Sequence, residues 1–519
     1  MVEKLNLDLA LQRALHDLRK TNFIDRSFAA EILKREPESL KAELREELES
    51  DEGYQPSPAR PFLVPKSGGL VRNGRHLTIK DRTVYNACVG ALQPDIYEAL
   101  EWSQGSVDLG YQMTENHKLK KWFEGTPYDY WRQFRLDSLE KLEESDWLVE
   151  ADIASYYDNI HIETLATDLE RLDLDEEVRR LLKSCLQKWS ISGSSPVFGK
   201  GVPQAYNASH IMAKLYLNSF DKYLRDSEFD HLRYNDDIRV FCESKREARD
   251  VLKKIMEFLS QRGLSLQSAK SRICSSEEGR ESINAAQRII EPIKERLREE
   301  NMVHIEAGGR YDDIFVDVPR EEINSEAIRE AVRNRLFKEE AEFDSTIFHF
   351  LLNRLDDDMA VDYCLLLLRD KPEETDHILE YFGRIGVNQE ITDRIAEYVD
   401  SDLSVYDYQL YQIYKWFLDP ETAHDPDDRL ISAARDFALS SESDFYLSNV
   451  AKRYLGEYGT QGDTESLMQH YDVCHAREQI LVLLSLKGVV KSKRNGFYAD
   501  ASNDGWPHEV AVSLIKSKY

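Results

Sequence analysis

The sequence predicts an α+β domain followed by an all-α region. From Phe62 to about Ser276, short apolar runs alternate with helical stretches, which is typical of mixed α and β structure. Beyond about residue 340, segments of roughly 12 to 18 residues carry helical periodicity, and acidic or proline-bearing breaks separate them. A chain of 519 residues is too long for one ordinary core, so we expect two or three domains.

The N-terminal 50 or so residues are predicted to be helical. Four leucines fall on one helical face, namely Leu7, Leu11, Leu15 and Leu18. A second apolar set follows around Phe28 to Leu33. The proline-rich segment 55–61 then breaks the pattern.

Three segments of the α+β domain can be placed from their patterns. Residues 147–153 are typical of a strand that leads into a helix. Residues 232–241 predict a β-hairpin with Asn-Asp-Asp at its turn. Residues 245–262 predict an amphipathic helix, and Gly263 then serves as its C-terminal cap.

Composition and charge exclude several classes of protein. The content of 41% hydrophobic and 32% charged residues fits a soluble globular protein. Since no long apolar run or secretion signal is present, we expect a cytoplasmic location. Six scattered cysteines without a Cys-x-x-Cys pair argue against a disulfide framework or a zinc knuckle. The net charge of −28 argues against a basic face that coats nucleic acid. We therefore expect nucleic acid to be held in a local channel or through metal ions. Adaptation to high salt is another explanation of the acidic charge.

Carboxylates are predicted at the ends of two strands. Asp152 follows an apolar strand, and Asp236 and Asp237 lie at the hairpin tip. Such groups repel one another when they meet, unless divalent cations neutralise them. Mg²⁺ prefers oxygen ligands and is suited to phosphate chemistry, so we expect two Mg²⁺ ions at this point, with Mn²⁺ as a substitute. An Asp-Asp pair alone is more often a solvated turn than a catalytic site, so the surrounding motifs must distinguish between the two.

Five motifs, in order over about residues 60–276, resemble those of reverse transcriptases. They are Val64-Pro65-Lys66 with Arg72 and Lys80–Val84; Asp152–Ile160; Gly201–Gln204 with Ser209 and Leu215–Leu217; Arg233–Asp237; and Gly263–Leu266 with Lys270-Ser271. The resemblance implies a right-hand polymerase with fingers and palm, that is, a nucleotidyltransferase acting on dNTPs. We therefore assign four parts to the chain: an N-terminal helical segment (1–60), fingers and palm (61–290), a connector (291–340) and a HEAT-like helical-repeat domain (341–519), for which an irregular helical bundle is the alternative.

The resemblance also implies a role for each matching residue. It makes Asp152, Asp236 and Asp237 catalytic. Asp152 and Asp236 would ligate both metal ions, with Asp237 close by and less directly bound, and Ile153 is included among the metal ligands. It implies nucleotide-binding roles for Lys66 and Arg72 on the triphosphate, Tyr157 as steric gate against a ribose 2′-hydroxyl, Gln204 near base and template, and Lys270 on the pyrophosphate. Ordinary surface charge is the alternative for Lys66 and Arg72, and a core aromatic is the alternative for Tyr157. The family usually has Pro-Gln-Gly where Ala205 follows Gln204 here, which puts template use in doubt.

A helical region stands where a ribonuclease H, integrase or endonuclease would follow the palm in other members. This architecture resembles the bacterial abortive-infection and defence-associated reverse transcriptases of the unknown-group type. It implies untemplated DNA synthesis in phage defence. Synthesis would be primed from a tyrosine of the protein, so that the DNA product stays covalently attached, and the protein would form a homo-oligomer. A templated enzyme of retron or intron kind, whose template would be RNA or DNA, and an idle palm that serves as a protein-binding scaffold are the alternatives. A palm-type nucleotide cyclase is a more distant one.

Overall fold

The computed structural model describes residues 1–18, 25–172, 174–190, 199–298, 326–338, 343–422, 424–440, 443–474 and 476–518. Most of the predicted connector, residues 291–340, lies outside these ranges. Where the chain is described, no helix has the length and apolar character that crossing a bilayer requires. All six cysteines are free and buried.

The first part of the chain combines helices with one β-hairpin. The helices are α1 (Leu7–Leu18), α2 (Asp25–Arg35), α3 (Pro37–Glu49), α4 (Ile79–Leu100) and α5 (Pro127–Lys141). The hairpin consists of β1 (Arg60–Lys66) and β2 (Leu70–His76), which pair antiparallel with Lys66 opposite Leu70 at the tip. It lies between α3 and α4 in the chain.

A four-stranded antiparallel sheet forms the centre of the α+β domain. Its strands are β3 (Trp147–Asp152), β4 (Asp230–Tyr234), β5 (Asp237–Cys242) and β6 (Arg272–Ser275), in the spatial order β4-β5-β3-β6. Five helices connect these strands: α6 (Tyr156–Asn159), α7 (Ile162–Glu170), α8 (Glu176–Ser190), α9 (Asn207–Asp226) and α10 (Lys245–Gln261). Each of the three segments placed from the sequence thus forms the predicted element.

Side chains of the sheet alternate between two apolar clusters, as the period of a strand requires. Val149 and Val240 are cross-strand partners and belong to the large core that α9 and α10 cover. The neighbouring pair, Leu148 and Phe241, points to the other face and packs with Phe134 of α5. The sheet is therefore covered on both faces, and its strand ends are left to present polar groups.

Fourteen further helices among the described residues make up the C-terminal half. They are α11 (Ser276–Ile283), α12 (Ala285–Arg298), α13 (Glu326–Arg335), α14 (Ser345–Leu352), α15 (Val361–Asp370), α16 (Thr375–Ile385), α17 (Gln389–Val399), α18 (Asp407–Phe417), α19 (Asp428–Leu439), α20 (Phe445–Tyr458), α21 (Gln461–His470), α22 (Ala476–Ser485), α23 (Lys491–Ser502) and α24 (His508–Lys518). Helices two apart in the chain pack on each other, from α14 and α16 through to α22 and α24. Such stacking buries each helix mainly against its neighbours, as in a solenoid. The α+β domain followed by an all-α region is confirmed.

Three helices from outside residues 341–519 join the apolar core of the C-terminal helices, and one of them, α13, contributes Ile328 and Val332. Phe28 and Ile32 of α2, and Ile290 of α12, are buried in that core. The core around the sheet includes Leu11 of α1 and Leu44 of α3, and α2 contributes Leu33 to it as well. The N-terminal helices therefore divide between the two cores, a partition that helical periodicity cannot reveal because it gives the apolar face without its partner.

Candidate active site

Three carboxylates meet at one edge of the sheet. Asp152 ends β3 and Asp237 begins β5, and the two are direct cross-strand partners. Asp236 lies beside them in the two-residue turn that joins β4 to β5. Asn235 precedes it with φ of 54°, a left-handed conformation that Asn tolerates well in tight hairpins. The backbone N–H of Ile153 donates to the carbonyl of Asp236 at 3.2 Å, which fixes the turn against the end of β3.

The electrostatics of this edge suit bound cations. Burial, and then the charge of Asp152, raise the pKa of Asp236. Burial together with Asp236 and Asp152 raises the pKa of Asp237 to about 7. Divalent cations would relieve this repulsion, and carboxylate oxygens are ligands that Mg²⁺ prefers. The side chain of Ile153 is a buried hydrocarbon, so only its backbone carbonyl could serve as a ligand.

Residues 267–271 hold the backbone of Asp152 through two hydrogen bonds. The backbone N–H of Gln267 donates to the Asp152 carbonyl at 2.7 Å, and the N–H of Asp152 donates to the hydroxyl of Ser271 at 3.2 Å. The ammonium of Lys270 lies 3.1 Å from a carboxylate oxygen of Asp152. Burial lowers the pKa of Lys270, but the attraction of the carboxylates, above all Asp152, outweighs it and raises that pKa overall. The structure therefore places Lys270 beside the predicted catalytic group.

The two fingers cations lie at different places on the hairpin. Arg72 is exposed on β2, and its charge offsets part of the rise in the pKa of Asp236. Lys66 ends β1 at the hairpin tip. Among the ion pairs of the described residues, none joins Lys66 to the three carboxylates. The structure thus brings Arg72 into the electrostatic field of the carboxylates and leaves Lys66 at the tip of the hairpin.

Hydrogen bonds join the palm motif that contains Tyr157 to the one that contains Gln204. The N–H of Val202 donates to the Tyr157 carbonyl at 3.0 Å, which joins the first and second palm motifs. The amide of Gln204 donates to Asp158 at 3.4 Å, and the amide of Asn73 on β2 donates to the other oxygen of Asp158 at 3.3 Å. Asp158 therefore links the fingers hairpin to both palm motifs, a role that its sequence position did not reveal.

Two residues that the sequence did not single out hold the side chain of Tyr157. Its hydroxyl lies 2.5 Å from Nδ1 of His210, a buried histidine on α9. The ring of Tyr111 stacks on that of His210, with 3.9 Å between centroids and an angle of 14°. His210 follows Ser209 of the second palm motif, so its position was available in the sequence. Tyr111 lies in a loop without any motif.

A buried group of charges supports the β4–β5 turn from behind. Arg233 pairs with Asp108 at 2.8 Å and with Asp221 at 2.6 Å, and it donates to the carbonyl of Asn235 at 2.9 Å. Lys214 completes the group at 2.6 Å from Asp108. Although burial opposes it, Arg233 holds the pKa of Asp221 down to about 2. Only Arg233 belongs to a motif; its partners are far apart in the chain and are brought together by the fold.

Ala205 has a left-handed backbone, with φ of 65°. This conformation explains physically why the family pattern has glycine after Pro-Gln, since a Cβ is disfavoured there. The side chain of Ala205 is exposed. Alanine in place of glycine therefore costs backbone strain at this position.

The C-terminal helices hold the outer side of the fingers hairpin. Phe62 on β1 stacks with Tyr408 at 5.7 Å and contacts Tyr446 edge-on at 5.1 Å. Arg60 lies over the ring of Phe445, with its guanidinium carbon 3.7 Å from the centroid. The hydroxyl of Tyr406 donates to the carbonyl of Gly69 at the tip at 3.4 Å. The strand that carries Lys66 is thus packed against the helical region.

Comparison with known proteins finds a matching family model for part of the chain. The family model "Reverse transcriptase (RNA-dependent DNA polymerase)" matches residues 64–305. The chain contains a reverse transcriptase domain. This match covers the palm sheet, the three carboxylates and the fingers hairpin from Val64 onward. It confirms the predicted fingers and palm, and it indicates an enzyme of the nucleotidyltransferase class.

Individual relatives resemble only parts of the chain. Protein YkfC of Escherichia coli (strain K12) is 30% identical over 185 residues, which cover 35% of this chain and 45% of YkfC. The chain therefore matches less than half the length of that relative. Apo telomerase from Candida tropicalis is 12% identical, with 89% of this chain and 74% of that chain covered at a TM-score of 0.31. Telomerase from Candida albicans in complex with a TWJ fragment of telomeric RNA is 10% identical, with 85% and 64% covered at 0.30. Similarity at these TM-scores is too low to bear on function.

Proposed function

We propose that the reverse transcriptase domain is an active DNA polymerase that joins dNTPs by two-metal nucleotidyl transfer. The observation that carries this proposal is the convergence of Asp152, Asp236 and Asp237 at one sheet edge. An inactive domain has no physical reason to keep three mutually repelling carboxylates together. Burial, followed by the charges of the neighbouring carboxylates, raises the pKa of Asp236 and of Asp237.

The chemistry would rest on positioning and charge. Asp152, Asp236, Asp237 and the carbonyl of Ile153 would hold two Mg²⁺ ions, which supply activation of a 3′-hydroxyl and neutralise the leaving pyrophosphate. Arg72 and Lys66 would bind the triphosphate from the fingers side, as cations that recognise phosphate. Lys270, already beside Asp152, would neutralise or protonate the pyrophosphate as it leaves.

Selection of the sugar would fall to Tyr157. Its ring position is fixed by the backbone hydrogen bond to Val202 and by the contact of its hydroxyl with His210. A ring held at both ends can exclude a ribose 2′-hydroxyl by steric contact. Gln204, whose amide is held by Asp158, would contact the base or the template strand.

The same proposal includes a biological role in phage defence, with untemplated synthesis primed from a tyrosine of the protein and a homo-oligomeric assembly. The resemblance in architecture to defence-associated enzymes supports this role. The net charge of −28 supports it further, because an enzyme that grips no long template needs little basic surface. The packing of the helical region on the fingers hairpin gives that region a direct means to affect nucleotide binding.

Labelled dNTPs and Mg²⁺ test the proposal, with and without an added RNA or DNA template. We expect incorporation in both mixtures. Synthesis that depends on the template would instead favour an enzyme of retron or intron kind. No incorporation, together with phage protection that survives Asp236→Ala and Asp237→Ala, would favour a scaffold whose helical region binds a protein.

Protein priming has its own readout. We expect labelled product to stay with the protein band after boiling in detergent, and free product would reject this part. Mass spectrometry of the digested conjugate would then identify the tyrosine, one of 26 in the chain.

A further inference from the structure

Three metal-ligating side chains converge in the helical region, far in the chain from the polymerase carboxylates. Nε2 of His349 on α14 lies 2.6 Å from a carboxylate oxygen of Glu374. The ring of His377 on α16 lies beside that of His349, with 3.6 Å between centroids. One ligand atom from each residue lies within 4.8 Å of the other two. His349 and Glu374 are buried and His377 is partly buried.

The local backbone explains why these residues meet. Glu374 ends a 3₁₀ turn, Pro372–Glu374, and immediately precedes α16. His377 follows three residues later, and residues at this spacing share one face of a helix. Because α14 packs on α16, His349 faces the same point from the neighbouring helix. Glu-x-x-His is the signal that the sequence offered.

The charges favour a cation at this point. A buried carboxylate is costly unless it is neutralised. His349 pairs with Glu374 and carries a charge only when it is protonated. Two neutral imidazoles and one carboxylate would share a divalent ion without any protonation. This donor set is the one with which zinc is held by three protein ligands and a water molecule.

We propose that His349, Glu374 and His377 form a zinc site in the helical region. The site would join α14 to α16 at the turn Pro372–Glu374, against which β1 of the fingers hairpin packs. Zinc binding would therefore fix the part of the helical region that supports the strand of Lys66. Nitrogen ligands separate this site from the all-oxygen polymerase site, since imidazole suits Zn²⁺ and poorly suits Mg²⁺.

Zinc content of the full chain tests the proposal. Protein stripped with a chelator, loaded with Zn²⁺ and dialysed against excess Mg²⁺ should retain one equivalent of zinc. The variants His377→Ala and Glu374→Gln should each weaken zinc binding by more than about tenfold, since even outer partners of metal ligands contribute that much. His470→Ala, on α21 of the same region, should retain the full equivalent.

Two further measurements separate the site from the polymerase carboxylates and from misfolding. The double variant Asp236→Ala with Asp237→Ala should retain the zinc, so the result does not depend on polymerase activity. Co²⁺ bound to the unaltered chain should give the strong visible absorption of a tetrahedral site, and Zn²⁺ should displace it. Three results would each overturn the proposal: failure of the chain to retain zinc in excess Mg²⁺, unchanged zinc binding in His377→Ala, or loss of zinc in the double Asp variant. Each would leave His349 and Glu374 as a hydrogen-bonded pair without a metal ion.

Discussion

The hydroxyl of Tyr157 lies 2.5 Å from Nδ1 of His210, and the ring of His210 is stacked on Tyr111. The proposed steric gate is therefore held at its outer end by a buried histidine, which is itself held by a second aromatic ring. A gate works only if it cannot swing away from the sugar. Its selectivity should accordingly depend on residues that never touch the nucleotide.

Replacement of His210 by Ala should lower discrimination between dNTPs and rNTPs. Loss of one hydrogen bond of about 1 kcal/mol corresponds to a decrease of about fivefold in selectivity. Tyr157→Ala should lower selectivity further, because it removes the ring itself. The measurement is the ratio of kcat/KM for a dNTP to that for the matching rNTP. Unchanged selectivity in both variants would remove the gate role from Tyr157.

Stability without metal should fall as the pH rises through about 7, because the pKa of Asp237 in the folded chain is about 7. The ordinary value of an unfolded Asp is about 3.9, so the folded state holds the extra proton between these values. The stabilising contribution of protonated Asp237 is complete below the lower value and is lost above the upper one. Thermal unfolding at about pH 6 and about pH 8 measures this loss.

Addition of Mg²⁺ should reverse that trend, because the ion binds the ionised carboxylates. The rise in Tm on adding Mg²⁺ should therefore be larger at the higher pH. Asp237→Asn, which cannot ionise at this position, should flatten both dependences. A Mg²⁺ effect that is equal at the two pH values would contradict the assignment of Asp237 to a metal site.

Arg233→Met should destabilise the fold by about 3–5 kcal/mol, because it leaves the buried Asp108 and Asp221 without their shared partner. Urea unfolding measures the difference. Arg225→Met is the matched control on the same domain; its ion pair with Asp226 is exposed, so the expected change is below about 1 kcal/mol. Equal effects of the two substitutions would show that the buried charges do not support the turn as described.

Ala205→Gly should leave stability unchanged or increase it by up to about 1 kcal/mol. A left-handed Ala costs about 1–2 kcal/mol, and the greater freedom of unfolded glycine offsets part of the gain. Ala205→Val should instead destabilise by more than about 1 kcal/mol, because a branched side chain fits this conformation worse. Denaturant unfolding of the three proteins measures the order. A more stable Val variant would contradict the left-handed backbone.

The sequence predicted the parts of the site that lie in contiguous motifs. The strand before Asp152 and the hairpin that carries Asp236 were predicted because alternating apolar residues and a short polar turn are local signals. Lys270 was predicted through the family pattern and lies beside Asp152. The roles of these residues in catalysis stay predictions.

The supports of the site could not be predicted, because they depend on contacts between distant segments. Tyr111, Asp108 and Lys214 reach the hairpin and the gate through the packing of separate helices and loops, and single residues of these types carry no pattern. The sequence likewise did not predict that α1 joins one core while α2 contributes to both, since an amphipathic helix does not specify its partner.

The most direct test of the central claim is dNTP incorporation by the double variant Asp236→Ala with Asp237→Ala, compared with the unaltered chain. The control is Asp226→Ala, which removes an exposed carboxylate at the end of α9. We predict that the double variant loses at least about a hundredfold in rate, because the charges that would hold the metal ions are gone, while Asp226→Ala keeps the full rate. Incorporation by the double variant at the rate of the unaltered chain would contradict the assignment of the polymerase site to this sheet edge.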